Sequence, residues 1–180
     1  YVEMLVGFMA ALFMIYGLLA VPLRSYLQPI VIMSVIPFGF IGAVIGHMVF
    51  DVTVNMLSVF GIVALAGVVV NDSLILVDFT NRGRNEGMDI DSALVNAGKK
   101  RFRAILLTTL TTFVGLLPIM FETSVQAQFV IPMALSLSFG IVFASTITLI
   151  LIPCLYSVVE TNHRSVSTIF AALLIISILY

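Results

Sequence analysis

The sequence predicts an all-α fold, a polytopic transmembrane helix bundle with five spans. Three observations predict it. The chain has 180 residues, of which 61% are hydrophobic and only 9% charged, whereas soluble domains carry about 25% charged residues. Its apolar residues gather into five runs, each near the roughly 20 residues that carry a helix through a bilayer. No run shows the period-two alternation of barrel strands. A mean hydropathy of +1.21 agrees.

The first run covers residues 4–23 and ends before Arg24. It lacks a starting Met and a basic leader, and carries Glu3 instead, so no cleavable signal is visible. The second run, 29–50, follows the short link "RSYLQP". The third, 54–79, follows "DVT" and contains "MLSVFGIVALAGVVVNDSLILVDF". A polar connector, 80–103, comes next. Within it Asp89 is an N-cap candidate, and Ile90, Ala93, Leu94 and Ala97 share one face, which predicts a short helix at the membrane surface. The fourth run is 104–121. The fifth, 128–158, exceeds one span by a turn or two. These make a bundle over residues 1–162. The tail, 163–180, has sixteen residues after Arg164, too few for a comfortable span, and reads as an interfacial or truncated segment.

Charge sets the orientation. The basic residues are Arg24, Arg82, Arg84, Lys99, Lys100, Arg101, Arg103 and Arg164. Five spans place all of them on one side, which is the cytoplasmic side by the positive-inside rule. Glu3, Asp51 and Glu122 fall on the other. The first span then enters from outside, so the expectation is a C-terminal membrane piece of a larger transporter. The net charge of -1 gives no reason to expect nucleic acid. Cys154 is the one cysteine. It excludes an intrachain disulfide and a thiolate metal site, and is expected to be a small core residue. No nucleophile elbow, phosphate loop or metal-ligand cluster is present, so neither an enzyme nor a metal protein is expected.

The polar residues inside the spans carry the functional reading. Asp72 lies roughly 7 Å from the middle of the third span at 1.5 Å per residue. A charged acid there costs about 2.5–3.5 kcal/mol on insertion scales. Such an acid faces protein or water and marks an ion or proton path, or else is a structural carboxylate bonded to a neighbouring helix. Asn71 beside it orients the acid or serves as interhelical glue. Gly61, Ala64 and Gly67 recur at helical spacing and predict close approach of a partner helix. On the fourth span Arg101, Thr108 and Thr112 share a face, a cation at the mouth with hydroxyls leading inward. Threonines also bond back to their own carbonyls and then mean nothing more. Asp78 and Arg82 form an i, i+4 surface ion pair. His47 reads as an interfacial polar residue.

The segments "VPLRSYLQPIVIMSVIPFGFIGAVIGHMVF", "MLSVFGIVALAGVVVNDSLILVDFTN" and "RFRAILLTTLTTFVGLLPIMF" resemble the C-terminal membrane half of resistance-nodulation-division (RND) efflux transporters of the hydrophobe/amphiphile exporter, AcrB-like, type. The resemblance covers about residues 4–160. It implies the last five of twelve spans of a homotrimeric inner-membrane proton antiporter. The partners would be the missing N-terminal half, a periplasmic adaptor, an outer-membrane channel and membrane lipid. It implies no cofactor beyond the proton gradient. The family's relay position falls on Asn71, its mouth arginine on Arg101 and its threonine on Thr108. The departure is "NDS" at 71–73, where the best-known drug exporters carry Lys-Asn. A lysine switching between acids cannot operate unaltered here, and Asp72 becomes a proton carrier or a partner of Arg101. Two other readings compete. One is an RND transporter of lipids or metal ions, or a protein-export accessory. The other is a truncated, non-transporting scaffold.

Overall fold

The computed structural model describes residues 2–161. The described residues form six helices and no strand: α1 (Val2–Leu23), α2 (Gln28–Met33), α3 (Ile36–Phe50), α4 (Met56–Asn85), α5 (Ile90–Met120) and α6 (Val125–Thr161). Five segments are long and apolar enough to cross a membrane, with α2 and α3 together supplying the second. The tail 163–180 lies outside the described residues.

The second span is broken rather than continuous. Its two helices meet at Ser34 and Val35. Pro37 has no N–H to give the Met33 carbonyl, and its ring crowds that turn. Ser34 Oγ donates to Val31 O at 2.6 Å, so its hydroxyl closes on its own turn. α3 ends at Asp51 in the left-handed region, φ 51°.

The connector 80–103 also differs from expectation. α4 runs on to Asn85 and α5 already begins at Ile90, so only Glu86–Asp89 joins them. Asp89 caps α5, its carboxylate accepting from the Ser92 N–H at 3.4 Å. That hydrogen bonding holds Asp89 below the usual carboxylate range. The surface helix expected from this cap exists, but it continues into the fourth span. Ala93, Leu94 and Ala97 are buried, and Gly83 on α4 lets Ala93 approach closely. Burial of that small apolar stripe against α4 stabilises helix where polarity suggested a loop. α5 has 31 residues, about 46 Å at 1.5 Å each, so it overhangs a 30 Å hydrocarbon core.

α6 is the hub and packs against α3, α4 and α5. Leu65, Leu76, Ile141, Ala144, Ile152 and Tyr156 are all nearly inaccessible and belong to one cluster. Lipid is as apolar as leucine, so close van der Waals contact rather than the hydrophobic effect holds such helices together. The contact is close at the glycines. A Cβ on Gly42 would stand 2.7 Å from Phe139 O, and one on Gly61 would stand 2.5 Å from Met133 O. α1 is the outlier. Only 6% of its spanning window is buried, and it leans mainly on α2.

Candidate functional site

α4 begins with a capping box. Asn55 accepts from the Leu57 and Ser58 N–H groups, and Ser58 Oγ accepts from the Asn55 N–H. From that fixed start the helix turns about 100° per residue. Ser58, Gly61, Leu65, Val69, Ser73 and Leu76 therefore fall on the face buried against α6 and α5. Asp72 sits at the flank of that face. It is partly exposed, yet its Oδ2 is buried with no hydrogen-bond partner among the described residues. Asn71 points the other way and is exposed.

The same rotation corrects the packing expectation. Gly61 meets α6 backbone, but Gly67 has nothing within 4 Å and Ala64 is exposed. Two steps of three residues carry Gly67 about 120° round from Gly61. Ala64, Gly67 and Asn71 thus line a face of α4 that no described helix covers.

Arg101 is partly buried on α5. Its guanidinium carbon lies 4.0 Å from the Phe79 ring centroid, a cation–π contact of roughly 0.5–2 kcal/mol. Its Nε is buried and unpartnered among the described residues. Phe79 is seven residues beyond Asp72, about 10 Å down the helix. No ion pair joins Arg101 to Asp72 among the described residues. Asp78 and Arg82 do pair, at 2.9 Å, with both side chains substantially exposed.

On α5 the buried side runs through Ile105 and Thr109. Thr108 lies just beyond its edge. It is exposed, with its hydroxyl donating to Ala104 O at 2.9 Å, and Thr112 is partly buried. Thr109 is 8% exposed, and its hydroxyl has no partner among the described residues. Sequence reasoning missed Thr109 because a one-residue difference in helix phase separates it from Thr108. Ser73 and Ser136 are also buried with unpartnered hydroxyls. Buried polar groups are nearly always satisfied, so this set asks for partners beyond the described residues.

Two further placements differ from the reading of the sequence, and one polar network went unread. His47 is 3% exposed rather than interfacial. Its ring nitrogens lie 2.9 Å from Ala43 O and 2.8 Å from Ser58 Oγ, tying α3 to the start of α4. Cys154 is exposed rather than a core residue, since α6 buries its neighbours Ile152 and Tyr156 instead. At the opposite end of α4 a polar network links three helices. Gln28 and Asn81 exchange two amide hydrogen bonds, at 3.2 and 2.9 Å. Tyr156 donates to Asn81 Oδ1 at 2.5 Å, and Arg84 donates to the Tyr156 hydroxyl at 3.3 Å. Among the described residues no group of three or more His, Cys, Asp or Glu converges to hold a metal ion.

Five apolar spans around a buried carboxylate oxygen define a polytopic helical membrane protein with ionisable chemistry inside its bundle. The sequence pattern of the AcrB/AcrD/AcrF family matches residues 2–160, and the chain belongs to that family of RND efflux transporters. It is 31% identical over 153 residues to the multidrug resistance protein MdtC of Proteus mirabilis (strain HI4320), covering 84% of this chain and 15% of that protein. Its fold is similar to a heavy metal efflux pump solved in two crystal forms. Form II gives a TM-score of 0.76 at 26% identity over 84% of this chain, and form I gives 0.73 at 27% over 85%. The chain spans 15% of the length of each of these relatives.

Proposed function

We propose that this chain forms part of the membrane domain of a proton-driven exporter of amphiphilic compounds, and that Asp72 is one of its proton carriers. The observation that carries this reading is the Oδ2 of Asp72, buried inside a spanning helix with no hydrogen-bond partner among the described residues. A carboxylate in that position needs water or a cation, whereas the neutral acid tolerates apolar neighbours. Loading and unloading a proton therefore changes which surroundings the helix prefers, and that preference couples a gradient to a conformational change. Arg101 sets the potential at the cytoplasmic mouth, and Thr108, with Thr112 above it, carries protons along water, while Asn71 is left to the open side of α4. The likeness to MdtC, a multidrug resistance protein, supports drug export. The whole transporter would sit in the inner membrane with loop 80–103 cytoplasmic. It would work as a trimer with a periplasmic adaptor and an outer-membrane channel, and the proton gradient would replace any cofactor.

A second reading changes the cargo to metal ions, and the likeness in fold to a heavy metal efflux pump favours it. Accumulation assays with an amphiphilic dye and with a divalent metal separate the two.

The coupling test is Asp72→Asn in the full-length transporter. The amide keeps shape and most hydrogen bonding but cannot release a proton. Abundance is expected to stay normal while efflux falls to the level of a transporter-free control. Normal efflux across the working pH range would reduce Asp72 to a packing residue.

A further inference from the structure

At the cytoplasmic end, α1 and α2 meet at an elbow beside the last turns of α4. A pocket of about 620 Å³ opens there, lined by Arg24, Gln28, Asp78, Asn81, Arg82 and Arg84 among others. We propose that this pocket binds the phosphate of an anionic phospholipid from the cytoplasmic leaflet, with Arg24 and Arg82 as its principal contacts. The proposal goes beyond the transport reading and rests on it only for the orientation, which makes this end cytoplasmic.

Four observations carry the inference. The first is charge. Arg24 and Arg82 line the pocket beside one acid, Asp78, which bonds Arg82 through a single oxygen. Positive charge remains for a phosphate, and arginine's planar fork suits that group. The second is construction. Gln28, Asn81 and Arg84 line the inner wall and are tied to one another directly or through Tyr156, and Gln28 is only 6% exposed. A wall of mutually bonded polar groups holds the pocket open and keeps hydrocarbon side chains out of it. The third is backbone. Arg24 sits in the left-handed region, φ 48°, just past the end of α1, where glycine is the unstrained choice. An arginine kept in a conformation that costs any residue with a Cβ points to use of its side chain. The fourth is location. Pro22 and Leu23 form the apolar rim, and α1 above them is almost wholly unburied, so acyl chains would find an apolar surface directly over the headgroup. Basic pockets between spanning helices on this side of a membrane hold anionic headgroups by the same combination.

A free phosphate shares the chemistry but not the apolar rim, and the experiment separates the two. The full-length transporter is reconstituted in vesicles of equimolar phosphatidylglycerol and phosphatidylcholine, extracted gently, and its retained lipid quantified by native mass spectrometry. The wild type is expected to retain phosphatidylglycerol over phosphatidylcholine by about tenfold, and Arg24→Gln with Arg82→Gln to bring the ratio close to that of the vesicles. Asp78→Asn, which removes the competing acid, is expected to keep or raise the enrichment. Arg24→Gly is expected to lose lipid while melting no lower than the wild type, because it relieves the backbone. That result separates loss of a ligand from loss of the fold. Unchanged enrichment in the double variant, or no enrichment in the wild type, overturns the proposal. So does stabilisation of the wild type by inorganic phosphate in pure phosphatidylcholine that the double variant lacks, since the occupant would then be the free ion.

Discussion

Thr108 and Thr109 occupy consecutive positions and opposite circumstances. The Thr108 hydroxyl is spent on Ala104 O, whereas the Thr109 hydroxyl is buried and unpartnered among the described residues. A back-bonded hydroxyl still has lone pairs to accept with, so Thr108 remains usable by a water chain. If it lies on the proton path, Thr108→Ala lowers efflux of the full-length transporter by at least about tenfold at unchanged abundance. Thr108→Ser restores the hydroxyl and is expected to recover most of the activity. Abundance falling in step with efflux would identify Thr108 as structural. At this scale the sequence was readable in part. An acid in an apolar run announces itself, because nothing but a specific surrounding offsets its insertion cost. Its phase is harder to read. Asn71 and Asp72 differ by about 100° around the axis, and only the positions of α5 and α6 decide which of the two faces the bundle.

Helix existence was legible and helix ends were not. The five apolar runs appear as five spans because length and hydropathy fix them. The break at Ser34–Val35 follows from Pro37 and went unread, since the run stays apolar through it. The connector misled because Lys99, Lys100, Arg101 and Arg103 look like a solvated loop. They extend from a helix whose small stripe, Ala93 and Ala97, packs on α4. The Gln28–Asn81 and Tyr156–Asn81 bonds join residues 53 and 75 positions apart, beyond the reach of local pattern. Close packing gives a test of opposite signs. Gly61→Ala drives a methyl at Met133 O and is expected to cost roughly 1–3 kcal/mol. Gly7→Ala meets nothing within 4 Å on α1 and is expected to be neutral, or favourable by up to about 1 kcal/mol through helix propensity. Thermal denaturation of the full-length transporter in detergent reads both, and a stabilising Gly61→Ala would deny the α4–α6 contact.

For the whole molecule the decisive question is which way it faces. Six of the eight basic residues lie between 80 and 103, at the end where α4 leaves the bundle and α5 enters it. Cysteines placed singly at Asn85 and Ser124 in a Cys154→Ala background report on the two sides. The exposure of Cys154 makes that background necessary. An impermeant thiol reagent applied to intact cells is expected to label position 124 and spare position 85. Labelling of position 85 from outside would invert the orientation, and with it the direction assigned to the proton path.

The four-residue link between α4 and α5 has a mechanical consequence. Gly87 turns it with φ 91°, and helices of 30 and 31 residues hang from it. A tether that short, with Gly83 and Ala93 in contact beside it, leaves the two helices no slack to slide by a full turn of about 5.4 Å. The link therefore ties the axial positions of α4 and α5 together, and on the proposed reading the interval between the Asp72 carboxylate and the Arg101 guanidinium is expected to change little. The open side of α4, with the small residues Ala64 and Gly67 exposed on it, is where another helix would fit.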